Sequence, residues 1–259
     1  PCDEINYIWR HGNINEPTDE FDPSHARPEV KEFIHKKFEK MAKKYRVPVL
    51  VEKTCANSLR VPFVDEILPE AKYLYIVRDG RDVTASAIKR WRGDFRLSYV
   101  LKKARFVPAQ DLPAYMLRFA RHRARQFCSE SKQLSSWGPR FEGLDDMVRR
   151  GKPIEQICAW QWRKCLEVSD SAFAAMDPDK VHIMNYEEFV QSPAEQIEDI
   201  LNFLGVPVNM EKMSPILKEI SPKSVGNWQT DLTDIQISNI EGIVRPALSR
   251  HGYIKSDNT

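Results

Sequence analysis

Between Pro28 and Tyr45 the apolar residues are Val30, Phe33, Ile34, Phe38 and Met41, with lysines filling the gaps. That three-and-four spacing predicts a helix with one buried face and one basic, solvated face. The pattern then changes. Val47-Pro48-Val49-Leu50-Val51 and Tyr73-Leu74-Tyr75-Ile76-Val77 are short, continuous apolar runs, as is Val181-His182-Ile183-Met184 apart from its histidine. Runs of that length, rich in β-branched and aromatic residues, predict strands buried on both faces. Helical spacing returns after each. One helix is expected from Asn57 or Ser58 to about Leu68, where Pro69 closes it, and another from the Arg78–Asp82 turn to about Trp91. A long helix from about Pro153 to Met176 carries Ile157, Trp160, Cys165, Val168 and Phe173, and helical pieces follow Ser192.

Strand, polar turn and helix in repetition predict an α/β fold: a three-layer α/β/α arrangement around a central parallel sheet. In such sheets ligands bind beyond the carboxyl ends of the strands. Three polar clusters fall there: Glu52–Thr54, Arg78–Asp82 and Asn185–Glu187. They are expected to converge on one edge. Between Arg92 and Pro153 the strand pattern stops, which predicts a helical insertion over that edge within a single domain spanning residues 1–259.

Composition narrows the function. The 259 residues include 39 Lys and Arg against 37 Asp and Glu, a net charge of +2 that disfavours a nucleic-acid binder driven by bulk charge. No apolar run reaches the roughly 18–20 residues of a membrane span, so neither nucleic acid nor membrane is expected as a partner. The five cysteines, Cys2, Cys55, Cys128, Cys158 and Cys165, form no CxxC pair and no metal-ligand spacing. They read as reduced structural thiols, and a cytoplasmic location is expected. Cys158 and Cys165 are spaced to share one helix stripe.

The chemistry lies in Arg78-Asp79-Gly80-Arg81-Asp82-Val83-Thr84-Ala85-Ser86. A strand ends, a guanidinium follows and a helix begins. This suits an anion, because helix amino-terminal amides and arginine forks both bind phosphate. Ser86, two helical turns beyond Arg78, is placed to meet the same anion. Salt bridges among Asp79, Arg81 and Asp82, with an aspartate capping the helix, account for the same residues equally well. Lys53 ends the first apolar run beside Glu52. There it could stabilise a departing negative charge or simply form an ion pair.

These segments resemble the sulfotransferases that use 3′-phosphoadenosine 5′-phosphosulfate (PAPS), with a P-loop-like fold. The likeness rests on Glu52-Lys53-Thr54, on the Arg78–Ser86 segment, on Asn185-Tyr186-Glu187-Glu188-Phe189 and on Lys223-Ser224-Val225-Gly226-Asn227-Trp228. It implies that Arg78 and Ser86 hold the donor's 3′-phosphate, with Tyr186 close to that phosphate or to the adenine. It also implies that Lys223, Ser224, Gly226 and Trp228 close over the nucleotide, with Trp228 on the adenine. Lys53 would neutralise the bridging oxygen as the sulfuryl group departs, with no metal needed. Cys55 stands where the cytosolic small-molecule members place a histidine base. The chain is therefore read as closer to the glutamate-base protein and glycan members, with Glu4 as the base. The family's Pro-Arg-Ser-Gly-Thr-Thr-like loop for the 5′-phosphosulfate has no counterpart here, nor does the strand before it; both are expected upstream of Pro1.

The acceptor is expected to carry a hydroxyl and could be a glycan, a protein or a small molecule; an acidic or sugar-like one would suit two basic stretches in the insertion. One comprises Arg90, Arg92, Arg96, Lys102, Lys103 and Arg105; the other comprises Arg118, Arg121, His122, Arg123 and Arg125. Both could equally be solvated helix faces. Arg10, His11 and Trp137 are the candidate acceptor contacts, and Trp91 and Phe141 are either further stacking surfaces or core. The competing readings are a catalytically inactive nucleotide-binding module of the same fold and a nucleoside-type kinase. The kinase would need a magnesium-binding carboxylate, for which Asp79 and Asp82 are the candidates.

Overall fold

The computed structural model describes residues 5–91, 111–113, 116–117 and 137–255. Glu4, nearly all of the two basic stretches and much of the insertion lie outside them. The helices in chain order are α1 (Asn6–Trp9), α2 (Pro28–Tyr45), α3 (Val61–Ile67), α4 (Gly80–Trp91), α5 (Leu144–Arg149), α6 (Ile154–Ala174), α7 (Tyr186–Gln191), α8 (Pro193–Leu204), α9 (Met210–Leu217), α10 (Trp228–Asp231) and α11 (Asp234–Arg250). Two strands, β1 (Tyr73–Val77) and β2 (Val181–Asn185), form a parallel pair running from Tyr73↔Val181 to Val77↔Asn185. The chain divides into two compact units, residues 1–69 with 89–148 and residues 70–88 with 149–259.

In the first unit Trp9, Phe21, Val30, Ile34, Phe63 and Ile67 are buried. Phe63 meets Trp9 edge-on at 6.4 Å between ring centroids and Phe21 at 5.3 Å. Such pairs add about 0.5–1.5 kcal/mol beyond the area they bury. Pro28 opens α2 and Arg46, in the left-handed conformation at φ 52°, ends it. A charged knot lies within this core. Asp19 accepts from Arg10 Nη1 at 2.7 Å and from the Arg140 backbone N–H at 2.9 Å, and Arg60 Nη1 lies 3.7 Å away. Burial pushes the Asp19 carboxyl up, but Arg60 and Arg10 outweigh it and hold the group below its ordinary value.

Two expectations are corrected in this unit, and one alternative left open is decided. Val47–Val51 is not a strand: its backbone is irregular and its side chains are exposed, Val51 at 72%. Apolar content cannot make a strand without a ladder partner. Leu59 and Val61 are buried, yet the helix expected over Asn57–Leu68 splits into a 3-10 turn, Cys55–Leu59, followed by α3. Pro62 has no N–H to donate and is best tolerated in a first turn, where it sits at the start of α3. Trp91 and Phe141 are core residues, 2% and 5% exposed, and present no stacking surface.

In the second unit α6 and α11 pack together. Arg163 Nη1 donates to the Ile243 carbonyl at 3.2 Å and Asn239 Nδ2 to Glu155 Oε1 at 2.9 Å. The buried stripe of α6 includes Ile157, Cys158, Trp162, Leu166 and Ser169; Cys165 is only half-buried, so the two cysteines do not share it equally. The Asp170 carboxylate collects the Tyr75 hydroxyl at 2.8 Å, Arg250 Nη1 at 3.0 Å and His251 Nε2 at 3.0 Å, tying α6, β1 and the end of α11 together. Burial, and then Asp170, push the Tyr75 phenol up. The sheet is narrower than expected. Among the described residues it has two strands, and Ile76 (54%) and Ile183 (62%) remain exposed. No helix is long and apolar enough to cross a membrane among the described residues.

Candidate functional site

The site forms where β1 and β2 end side by side. Because the strands are parallel and Val77 is paired with Asn185, Arg78 and Tyr186 emerge next to each other. The Arg78 guanidinium lies over the Tyr186 ring at 4.3 Å, and its Nη2 donates to the Ser224 carbonyl at 2.7 Å. The Tyr186 and Ser224 hydroxyls are hydrogen-bonded at 2.9 Å. Three segments far apart in sequence thus meet on one guanidinium. The Arg78 Nε is buried and makes no hydrogen bond among the described residues. It is a donor that the protein leaves unsatisfied, and an anionic oxygen would satisfy it.

Gly80 explains the close approach of α4 to α6. A Cβ at Gly80 would come within 2.6 Å of the Trp162 ring. Trp162 uses that proximity to donate from Nε1 to the Arg78 carbonyl at 3.2 Å. The glycine between the two Arg-Asp pairs is therefore required by space.

The aspartates divide the work. Asp79 caps α4, accepting from the Arg81 backbone N–H at 2.8 Å, and pairs with the Arg81 guanidinium at 2.6 Å. Its own N–H donates to Glu187 Oε1 at 3.0 Å, and Glu187 Oε2 accepts from the Tyr253 hydroxyl at 2.6 Å. Burial first, then Glu187, raise the Tyr253 phenol. The salt-bridge reading is thus correct for Asp79 and Arg81. Asp82 does something different. Almost fully buried, it accepts from the backbone N–H of Gly226 at 2.8 Å and of Trp228 at 2.9 Å, so it holds the loop Lys223–Trp228. Nothing in its spacing marked it for this; only the folded loop shows it.

Of the residues predicted to grip the donor, Arg78, Tyr186, Ser224, Gly226 and Trp228 are in this cluster. Lys223 is exposed in the same loop, which opens with a 3-10 turn capped by Ser221. Ser86 is exposed one turn beyond Asp82, on the same face of α4. One face of the Trp228 indole is covered by the Arg81 guanidinium at 4.2 Å, so any base stacking would use the other.

The remaining candidates belong to the first unit. Lys53 is exposed, and its neighbour Glu52 accepts from Asn57 Nδ2 at 2.7 Å. Burial raises the Glu52 carboxyl above its ordinary range, against the opposing pull of Thr54, Trp9 and Arg60. Arg10 is not an acceptor contact. It is 4% exposed, with its guanidinium spent on Asp19 and on the Thr18 carbonyl at 2.6 Å. His11 stacks on Phe33 at 3.6 Å, and its Nδ1 lies 2.7 Å from Asp111 Oδ2. Trp137 is 38% exposed.

Residues 21–229 match the family model described as "Sulfotransferase domain". The fold is similar to the solved structure titled "Sulfotransferase Domain from the Curacin Biosynthetic Pathway", with a TM-score of 0.52 and 14% identity, over 94% of this chain and 86% of that one.

Proposed function

Because the chain belongs to the sulfotransferase domain family, we propose that it moves a sulfuryl group from PAPS to a hydroxyl of an acidic or sugar-like acceptor, releasing adenosine 3′,5′-bisphosphate. The observation that carries this reading is the meeting of Arg78, Tyr186 and the Ser224 loop at the paired ends of two parallel strands. A guanidinium already oriented by a carbonyl and a ring loses little further freedom when it binds an anion.

In this reading Arg78 and Ser86 hold the 3′-phosphate, Tyr186, Lys223, Ser224 and Gly226 line the nucleotide, and the open face of Trp228 meets the adenine. The acceptor oxygen attacks sulfur in line as the bond from sulfur to the bridging phosphate oxygen breaks. The acceptor's proton passes to a carboxylate, for which Glu4 is our candidate. Lys53 supplies positive charge to the departing bisphosphate, and His11 and Trp137 contact the acceptor. Positioning and electrostatics carry such a transfer, as they do for phosphoryl groups.

Calorimetric titration with adenosine 3′,5′-bisphosphate, with ATP as the control, tests the donor assignment. Saturable binding of the bisphosphate with much weaker binding of ATP is expected. Equal affinity for the two, or preference for ATP, would sink the assignment and favour the kinase-like alternative.

A further inference from the structure

We propose that Asp82 is a positioning residue that sets the shape of the Lys223–Trp228 loop; this rests on the donor site proposed above. The carboxylate is 3% exposed and lies in the first turn of α4. A first-turn aspartate commonly serves its own helix end, but here Asp79 already caps α4. Both Asp82 oxygens instead face the loop, Oδ2 taking the Gly226 N–H at 2.8 Å and Oδ1 the Trp228 N–H at 2.9 Å. Between those two amides the chain must turn, and Gly226 makes the turn in the left-handed region at φ 76°. The same loop presents the Ser224 carbonyl to Arg78 and the Trp228 ring to Arg81. Asp82 therefore determines where the loop's donor-binding groups lie, without touching the donor.

A second effect of the same carboxylate has the opposite sign. Asp82 Oδ2 lies 3.9 Å from Arg78 Nη2, too far for a hydrogen bond but close enough to offset its charge. If charge were all that mattered, neutralising Asp82 would strengthen anion binding. If loop shape matters more, neutralising it weakens binding. Asp82→Asn separates the two, because the amide keeps the size of the side chain. Its single carbonyl oxygen can serve one loop N–H, while its NH2 confronts the other.

The experiment measures adenosine 3′,5′-bisphosphate affinity and amide hydrogen exchange in the wild type, Asp82→Asn and Gly226→Ala. Asp82→Asn should weaken binding about ten- to a hundredfold, the range for losing hydrogen bonds to a buried charge. Exchange at the Gly226 and Trp228 amides should accelerate while protection in α11 stays at the wild-type level. In turnover, donor KM should rise more than kcat falls, which a general loss of folded protein would not produce. Gly226→Ala keeps the Asp82 charge and meets no neighbouring atom within 4 Å, yet strains the same turn; it should weaken binding too. Unchanged or tighter binding in Asp82→Asn would overturn the proposal, as would wild-type affinity in Gly226→Ala. Failure of the wild type to bind the bisphosphate would overturn the donor assignment instead. The exchange rates at residues 226 and 228 would still judge the role of Asp82.

Discussion

Arg78 is fixed on several sides: the Tyr186 ring beneath it, the Ser224 carbonyl on one nitrogen and the indole of Trp162 on its own carbonyl. Its side chain remains 23% exposed, so a charged group can still reach it. Arg78→Ala should weaken binding of adenosine 3′,5′-bisphosphate by about 1.5–3 kcal/mol, the range for hydrogen bonds to charged groups. Titration against the wild type checks this, and unchanged affinity would remove Arg78 from the donor site. The contrast with Arg10 is instructive. Both arginines stand beside plausible chemistry in the sequence, but Arg10 is consumed by a buried aspartate and carbonyl oxygens.

At the scale of elements, the start of α4 depends on how closely it approaches α6. Gly80→Ala would drive a methyl group to 2.6 Å from the Trp162 ring. Rings wedged against backbone yield poorly, and overpacking of this kind costs about 1–3 kcal/mol. Urea unfolding should show that loss. Because Trp162 also holds the Arg78 carbonyl, bisphosphate affinity should fall with it. A variant with wild-type stability would show that α4 and α6 can separate without cost. The parallel pairing of β1 with β2 matters for the same reason: Val77 opposite Asn185 delivers Arg78 and Tyr186 to one place, and a slip of one residue would turn one of them to the other face.

At the scale of the whole molecule, acid stability should report the buried knot around Asp19. Its pKa is lowered on folding, so its contribution is complete above the ordinary value of 3.8 and is lost as pH falls through the folded value. Glu52 has the opposite sign. Its pKa is raised, so its contribution is present below its ordinary 4.5 and is lost as pH rises through the higher folded value. Asp19→Asn leaves the buried Arg10 guanidinium without the carboxylate it pairs with and should cost about 3–5 kcal/mol near neutral pH. Thermal midpoints measured from about pH 6 down to about pH 2 should fall less steeply in Asp19→Asn than in the wild type. Parallel curves would mean that Asp19 does not supply the acid limb.

Much of this was legible in the chain itself. The run Tyr73–Val77, the polar turn after it and the helix ending at Trp91 are local patterns, and the structure has them at those bounds. Arg78 could be chosen from residue type and placement, because it follows a strand end that the apolar pattern reveals, whereas Tyr186, Ser224, Gly226 and Trp228 were chosen through the resemblance to a known family. Distances between segments were not legible. Asp82 looked like a capping or ion-pairing residue, and only the folded loop turned both its oxygens to residues more than 140 positions away. Val47–Val51 had the composition of a strand, but a strand exists only where another backbone completes its hydrogen bonds. Which residues would form elements is a matter of side-chain pattern; which elements would meet depends on contacts that no single stretch of sequence contains.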